Sequence, residues 1–185
     1  MNEAEKAFEV FRVGEDPESL TQFVHRVKDR VNPDVLVESL ERAVRLPQGT
    51  EEARRIAVDV RFGTMLSLGE FKYNDILPEL QNGLRDLLLD WYQNDPSSAI
   101  HGAAGWLLRR WKFDEEVSEV DHTVIPYDKS GVREWFVVRI DTQEPGLLNF
   151  FFGRPKSDYF TFVVFRPGTF SKGSPESEID RVKVN

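Results

Sequence analysis

The sequence predicts a mainly α fold with a β appendage: an α-solenoid of antiparallel helix pairs over residues 1–120, then about four short strands over 121–185. Three observations predict it. Apolar residues recur every three or four positions from Leu20 to Trp111, the period of an amphipathic helix. Three Asx-Pro pairs, Asp16-Pro17, Asn32-Pro33 and Asp95-Pro96, punctuate that rhythm. After residue 121 the period shifts toward two and the apolar runs become β-branched and aromatic. Charge changes at the same place: residues 1–120 hold 15 Lys/Arg against 23 Asp/Glu, whereas residues 121–185 hold nine of each.

A first helix is expected over about residues 3–13, carrying Phe8 and Phe11. Each Asx-Pro pair then predicts a helix start. The Asx side chain accepts from an orphan first-turn amide, and proline at the first helical position gives up an N–H that has no partner there. Behind Pro17 stand Leu20, Phe23, Val24, Val27 and Val31; behind Pro33 stand Val35, Leu36, Leu40, Ala43 and Val44. "LPQGT" breaks the second of these, and Thr50 is placed to cap a longer helix through Ile56, Val60 and Met65 to about Leu68, with Gly69 as its stop. "EFKYNDI" is a turn. From Pro78 the series Leu80, Leu84, Leu87, Leu88 and Trp91 marks the next helix, and the last runs from Pro96 to about Lys112. Its apolar face carries Ile100, Ala103, Ala104, Leu107, Leu108 and Trp111, and the small residues 102–105 permit close approach by another helix. Short links between six such helices favour antiparallel neighbours, a repeat of pattern without a repeat of letters.

Four strands are expected in "HTVIPY", "EWFVVRI", "LLNFFF" and "YFTFVVF", separated by the turn-forming "DKSG", "DTQEPG" and "GRPKSD". Both alternating sets of "YFTFVVF" are largely apolar, which predicts a strand covered on both faces, by the helices or by a partner. As an unpaired edge, the same strand invites pairing in trans.

Two stretches carry a resemblance. "FKYNDILPELQNGLRDLLLDWYQNDPSSAIHGAAGWLLRRW" resembles the HEAT-like helical region of multidomain proteins from planctomycete-type bacteria, although Gly105 stands where an acidic residue is expected there. "FTFVVFRPGTFSKGSPESEIDR" is similar to the opening of the sulfatase-modifying-factor domain, the fold of formylglycine-generating enzyme, which follows that region. Val163, Val164, Pro167, Gly168, Thr169, Phe170, Gly173, Ser174 and Pro175 fit the opening, with Lys172 in place of the usual methionine; "WFVV" from Trp135 resembles the segment before it. The resemblance implies the front of a longer architecture. It carries no catalytic role to any residue, because the copper-binding cysteines of that enzyme lie downstream of such an opening.

Composition excludes whole classes of chemistry. The absence of cysteine removes disulfides, thiolate-bound metals and thiol nucleophiles. A net charge of -8 disfavours nucleic acid. No apolar run has the length of a membrane span, and "MNEAEKAFEV" lacks the pattern of a secretory leader, so a cytoplasmic location is expected.

His25, His101 and His122 fall on three elements without the spacing of a metal site, and His101 is expected to pack or cap. Trp91, Trp106 and Trp111 are expected in the interior. "RRWK" at 109–112 suits the negative end of a helix, "GTFSKGSP" lacks the spacing of a phosphate loop, and Asp114, Glu115, Glu116 and Glu119 form a solvated face. No catalytic, cofactor-binding or metal residue is assigned. The function expected is a non-catalytic protein-interaction or scaffold module, not an enzyme. Its partner is another protein or the remainder of its own polypeptide, with no cofactor, nucleic acid or membrane. The alternative is an N-terminal regulatory fragment of a longer sulfatase-modifying-factor-domain protein, one that proteolysis can release in the exposed tail "SKGSPESEIDRVKVN".

Overall fold

Asn32 and Pro33 start a helix as their chemistry requires. The Asn32 side chain accepts the Asp34 amide at 2.9 Å, and Pro33 occupies the first position of α1 (Pro33–Val44). Thr50 does the same for α2 (Glu51–Leu68), its hydroxyl accepting the Ala53 amide at 3.1 Å. The structure, a computed structural model, describes residues 24–26, 28–46, 49–141 and 157–165. The helix expected over 3–13, the Asp16-Pro17 start, "LLNFFF" and "GTFSKGSP" lie outside them. Residues 24–26 are helical, with Val24 buried.

The "EFKYNDI" turn contains a short 3-10 helix (Tyr73–Asp75), and α3 follows (Pro78–Asn94), then α4 (Ser98–Arg110). α4 ends in a Schellman motif: the Lys112 amide donates to the Arg109 carbonyl at 3.1 Å and the Phe113 amide to the Leu108 carbonyl at 3.0 Å. Lys112 holds the left-handed position, φ 71°, where glycine is the usual residue. A further helix, α5 (Asp114–Asp121), was not expected from the apolar pattern, since Val117 is its one buried residue. Asp114, Glu115 and Glu119 lie on its exposed side.

The described chain is mainly helical with a small antiparallel sheet. α1 packs on α2 and α3 on α4, while α4 also meets α2 and α5. Leu36, Leu40, Met65, Leu68, Leu84, Leu88, Ile100, Leu107 and Leu108 share the resulting core. Val44, expected on the buried stripe of α1, is exposed, and Val37 takes its place in the core.

Glycine allows the helices to meet closely at two points. A Cβ on Gly69 would lie 2.1 Å from the Trp106 ring, and one on Gly105 would lie 2.4 Å from the Tyr92 ring. Gly69 therefore ends α2 in right-handed conformation, φ -63°, and its missing side chain serves contact more than backbone freedom.

β1 (Trp135–Asp141) and β2 (Ser157–Val163) pair antiparallel, with Trp135 opposite Val163 and Val138 opposite Phe160. "HTVIPY" adds only the bridge between Ile125 and Val137, because the adjoining Pro126 has no N–H for a continuing ladder. The expectation that "YFTFVVF" is covered on both faces is corrected: Phe160, Phe162 and Val163 are each between 44% and 48% exposed. Among the described residues the helices meet β1 through the stack of His101 on Trp135, and β2 is met by His122, at the end of α5, edge-on to Tyr159 at 5.0 Å.

Candidate functional site

The polar and aromatic side chains that converge do so where β1 meets the α3–α4 turn. The centre is a column of three rings. His101 of α4 stacks on Tyr92 of α3, centroids 4.5 Å apart and planes 11° apart, and on Trp135 of β1, 3.7 Å and 21°. A guanidinium closes each end, with Arg109 Cζ 5.4 Å from the Tyr92 centroid and Arg133 Cζ 4.7 Å from that of Trp135. Arg133 Nη1 is buried without a hydrogen-bond partner, and the Trp135 ring beneath the guanidinium offsets that loss in part.

His101 Nδ1 is 2.6 Å from the Tyr92 carbonyl. A carbonyl only accepts, so Nδ1 carries the proton and donates. Burial pushes the imidazole pKa below its ordinary 6.5, so the ring is neutral at pH 7. The Tyr92 hydroxyl donates to Asp121 and accepts from Arg109 Nη2 at 3.1 Å, while the same Nη2 donates to Asp121 Oδ2 at 2.7 Å. Burial, and then the bond to the Asp121 carboxylate, push the phenol up to about 12.

The column is bolted to the helices through the α3–α4 turn. The Trp135 indole N–H donates to the Asp95 carbonyl at 2.8 Å, the Glu134 amide to the Pro96 carbonyl at 2.8 Å, and Arg133 Nη2 to the Asn94 carbonyl at 3.2 Å. In return Glu134 Oε2 accepts the Ser98 amide, the first of α4, at 3.0 Å. Asp95-Pro96 thus behaves differently from Asn32-Pro33. Asp95 accepts the Ser97 amide at 2.9 Å and pairs with Arg61 of α2 at 2.5 Å, both side chains 10% exposed or less. Helix α4 consequently begins two residues after Pro96, and a carboxylate 36 residues away caps it.

The approach to β1 is shaped by Asp128. Its carboxylate accepts the Ser130 hydroxyl at 2.6 Å and the amides of Ser130, Val132 and Arg133 at 2.8, 3.0 and 3.0 Å; Gly131 turns the chain at φ 72°. The Ser130 hydroxyl and the three amides hold the carboxyl down at about 2. Beside this loop opens a cleft of about 750 Å³, lined by Arg54, Arg61, Asp95, Ser97, Ala99 and Glu134 among others. Arg61 and Asp95 are committed to each other there, and Glu134 to α4.

The other singled-out residues scatter. His25 is exposed near the start of the described chain, and His122 caps α5 through Nδ1 to the Ser118 carbonyl at 2.5 Å. Among the described residues no three metal-ligating side chains gather. Trp91 and Trp111 are buried as expected; Trp106 is 40% exposed, its ring lying over Gly69 beside Arg110. "RRWK" works between helices: Arg110 donates to the Gly69 carbonyl of α2, and the Trp111 indole to the Phe71 carbonyl at 3.0 Å. No spacing in the sequence marks Tyr92, His101 and Trp135 as one stack. Only the Trp135 position, at the head of a predicted strand, hinted at an inward ring.

β1 has a second face. Phe136, Val138 and Ile140 alternate with the inward Trp135 and Val137, and across the ladder Phe160 and Phe162 join them. Phe136 stacks on Phe162 at 5.3 Å, and Tyr127 meets the Phe136 edge at 5.5 Å. Six apolar side chains thus form one outward surface, with Tyr127, Ile140, Phe160 and Phe162 all more than two-fifths exposed. No helix among the described residues is long and apolar enough to cross a membrane. No family model, curated protein or solved structure matches the chain.

Proposed function

We propose that the chain is a non-catalytic protein-interaction or scaffold module: a short HEAT-like stack of helix pairs that carries a small sheet and offers the outward face of that sheet to another protein. The observation that carries this reading is the surface of Tyr127, Phe136, Val138, Ile140, Phe160 and Phe162, an apolar patch held outward by a strand whose alternate residues are locked inward. Aromatic rings of this kind anchor protein interfaces, because they bury large area at little conformational cost. The polar groups of the junction support the same reading, since Arg61, Asp95, Glu134, Tyr92, Arg109 and Asp121 are committed to one another or to backbone. In the stack, α1–α2 and α3–α4 act as successive pairs, joined where α2 meets α4.

Affinity capture from the native host tests it, using the full chain and a Phe160→Ser/Phe162→Ser variant of unchanged helical circular dichroism. A protein captured by the first and lost by the second is the expected result. An identical set of captured proteins removes the sheet face from consideration.

A further inference from the structure

Among the described residues no strand pairs with the far side of β2, which leaves a backbone edge open as well as a face exposed, and the two follow from the same register. In the antiparallel ladder a residue directs its N–H and C=O to one side, so alternate residues face alternate neighbours. On β1, Val137 exchanges both groups with Ile125, at 2.8 and 3.1 Å, which leaves Phe136, Val138 and Ile140 facing β2. Their partners Phe162, Phe160 and Asp158 therefore face β1, and the bond from the Val164 amide to the Glu134 carbonyl at 2.7 Å continues that parity. Tyr159, Thr161 and Val163 direct their peptide groups away from the sheet, and Thr161 and Val163 are exposed.

We propose that two copies of the chain dimerise by antiparallel pairing of β2 with β2, centred on Thr161. The occupant of this edge is argued from its self-complementarity. Under a two-fold axis through Thr161 the pairs are Thr161 with Thr161, Tyr159 with Val163 and Val163 with Tyr159. All three are hydrogen-bonded pairs, so every outward peptide group of the strand finds a partner. Between them Phe160 of each copy falls beside Phe162 of the other, on the outward face, as an aromatic cross-strand pair. Asp158 falls opposite Val164, so no like charges meet. Residues 121–185 carry no net charge, and the -8 of the protein resides in residues 1–120, so the edge approaches its copy without local repulsion. Both helical bodies lie on one side of the resulting four-stranded sheet. On that side Thr161 and Val163 are exposed, while Tyr159 packs against His122 of its own copy. Pairing also relieves the weakness of an isolated two-stranded sheet.

This goes beyond the protein-binding reading and stands without it, because it rests on the strand edge and the other on the strand face. The test is the mass of the full chain in solution by sedimentation or light scattering over a range of concentrations, where twice 21.4 kDa is expected. Thr161→Pro removes only an outward N–H, a change edge strands tolerate, and should weaken self-association about tenfold or more with unchanged circular dichroism. Thr161→Cys is a second probe that does not depend on that variant. In a protein with no other thiol, Cα atoms about 5.5 Å apart across a hydrogen-bonded pair allow a disulfide, so mild oxidation should trap a covalent dimer. A full chain that stays monomeric overturns the proposal. So does a dimer that Thr161→Pro leaves intact and Thr161→Cys fails to trap. If the amides of Tyr159, Thr161 and Val163 gain exchange protection only when a different protein is added, the edge belongs to that partner and the proposal fails.

Discussion

The two faces of β1 open with similar apolar pairs, Trp135 and Val137 inward and Phe136 and Val138 outward, and meet opposite fates. Inward, Trp135 is 1% exposed and finds a ring, a guanidinium and a backbone carbonyl within reach; outward, Phe136 finds only Phe162 and Tyr127 among the described rings, both of them more than two-fifths exposed. The inward face meets a turn whose carbonyls at Asn94, Asp95 and Pro96 all accept from residues 133–135. Among the described residues the outward face meets no such array. Apolar character alone therefore does not distinguish a strand face that stabilises the fold from one left for binding; the supply of partners on the opposing element does.

The comparison is broken most directly by removing the inward anchor. Trp135→Ala should cost about 3–5 kcal/mol, read as a lowered denaturant midpoint, because it empties a buried site and strands the Asp95 carbonyl. A near-neutral result would mean that the sheet is not integral to the helical core. Next in size, Arg61→Ala leaves the Asp95 carboxylate buried and unpaired and should cost about 3 kcal/mol; adding Asp95→Asn should recover part of the loss. The close approach is probed by Gly105→Ala, expected to cost about 1–3 kcal/mol because the new Cβ overlaps the Tyr92 ring and shifts the column. Lys112→Gly has the opposite sign, about 1 kcal/mol of stabilisation, since it relieves a left-handed backbone at the end of α4. The smallest effect sharpens the contrast: Phe162→Ser on the outward face should change stability by about 1 kcal/mol or less, the value of its stack on Phe136.

The column also sets a pH dependence. The folded pKa of His101 lies below 6.5, so the unfolded chain takes up the proton first as pH falls. Its contribution is present in full above about pH 6.5 and is lost as pH drops from there through the lower folded value. His101→Phe should keep the stack and remove this part of the acid sensitivity, measured as a flatter stability profile below pH 6.5. An unchanged profile would assign the sensitivity to other groups. Asp128 acts in the same direction at lower pH, its contribution present above 3.8 and lost as pH falls toward 2.

Much of the helical layer was readable in advance because its signals are local. Asn32-Pro33 and Thr50 act on amides two or three residues away, and the stripe of Leu84, Leu88 and Trp91 needs only the helical period to declare its buried face. The reading failed where a distant group intervened. Asp95 resembles Asn32 in sequence, yet Arg61 pairs with it, and α4 starts later under a cap from Glu134. Trp106 has the residue type of a core ring, yet it lies at the rim of the packing, over a glycine of α2. α5 carries too few buried residues to announce itself by period.

What the sequence determined by itself is the class and order of the elements: helices under a period near 3.6, then strands under a period near two, with the thiol chemistry absent from the outset. Only the tertiary structure decided which side of β1 is inside, which ring His101 stacks upon, and that the apolar side chains of β2 remain open. The physical reason is range. Capping and periodicity act within a turn or two of chain, whereas stacking, ion pairing and burial depend on which distant residues meet, as Arg61 meets Asp95 across 34 positions and Trp135 meets Asp95 across 40.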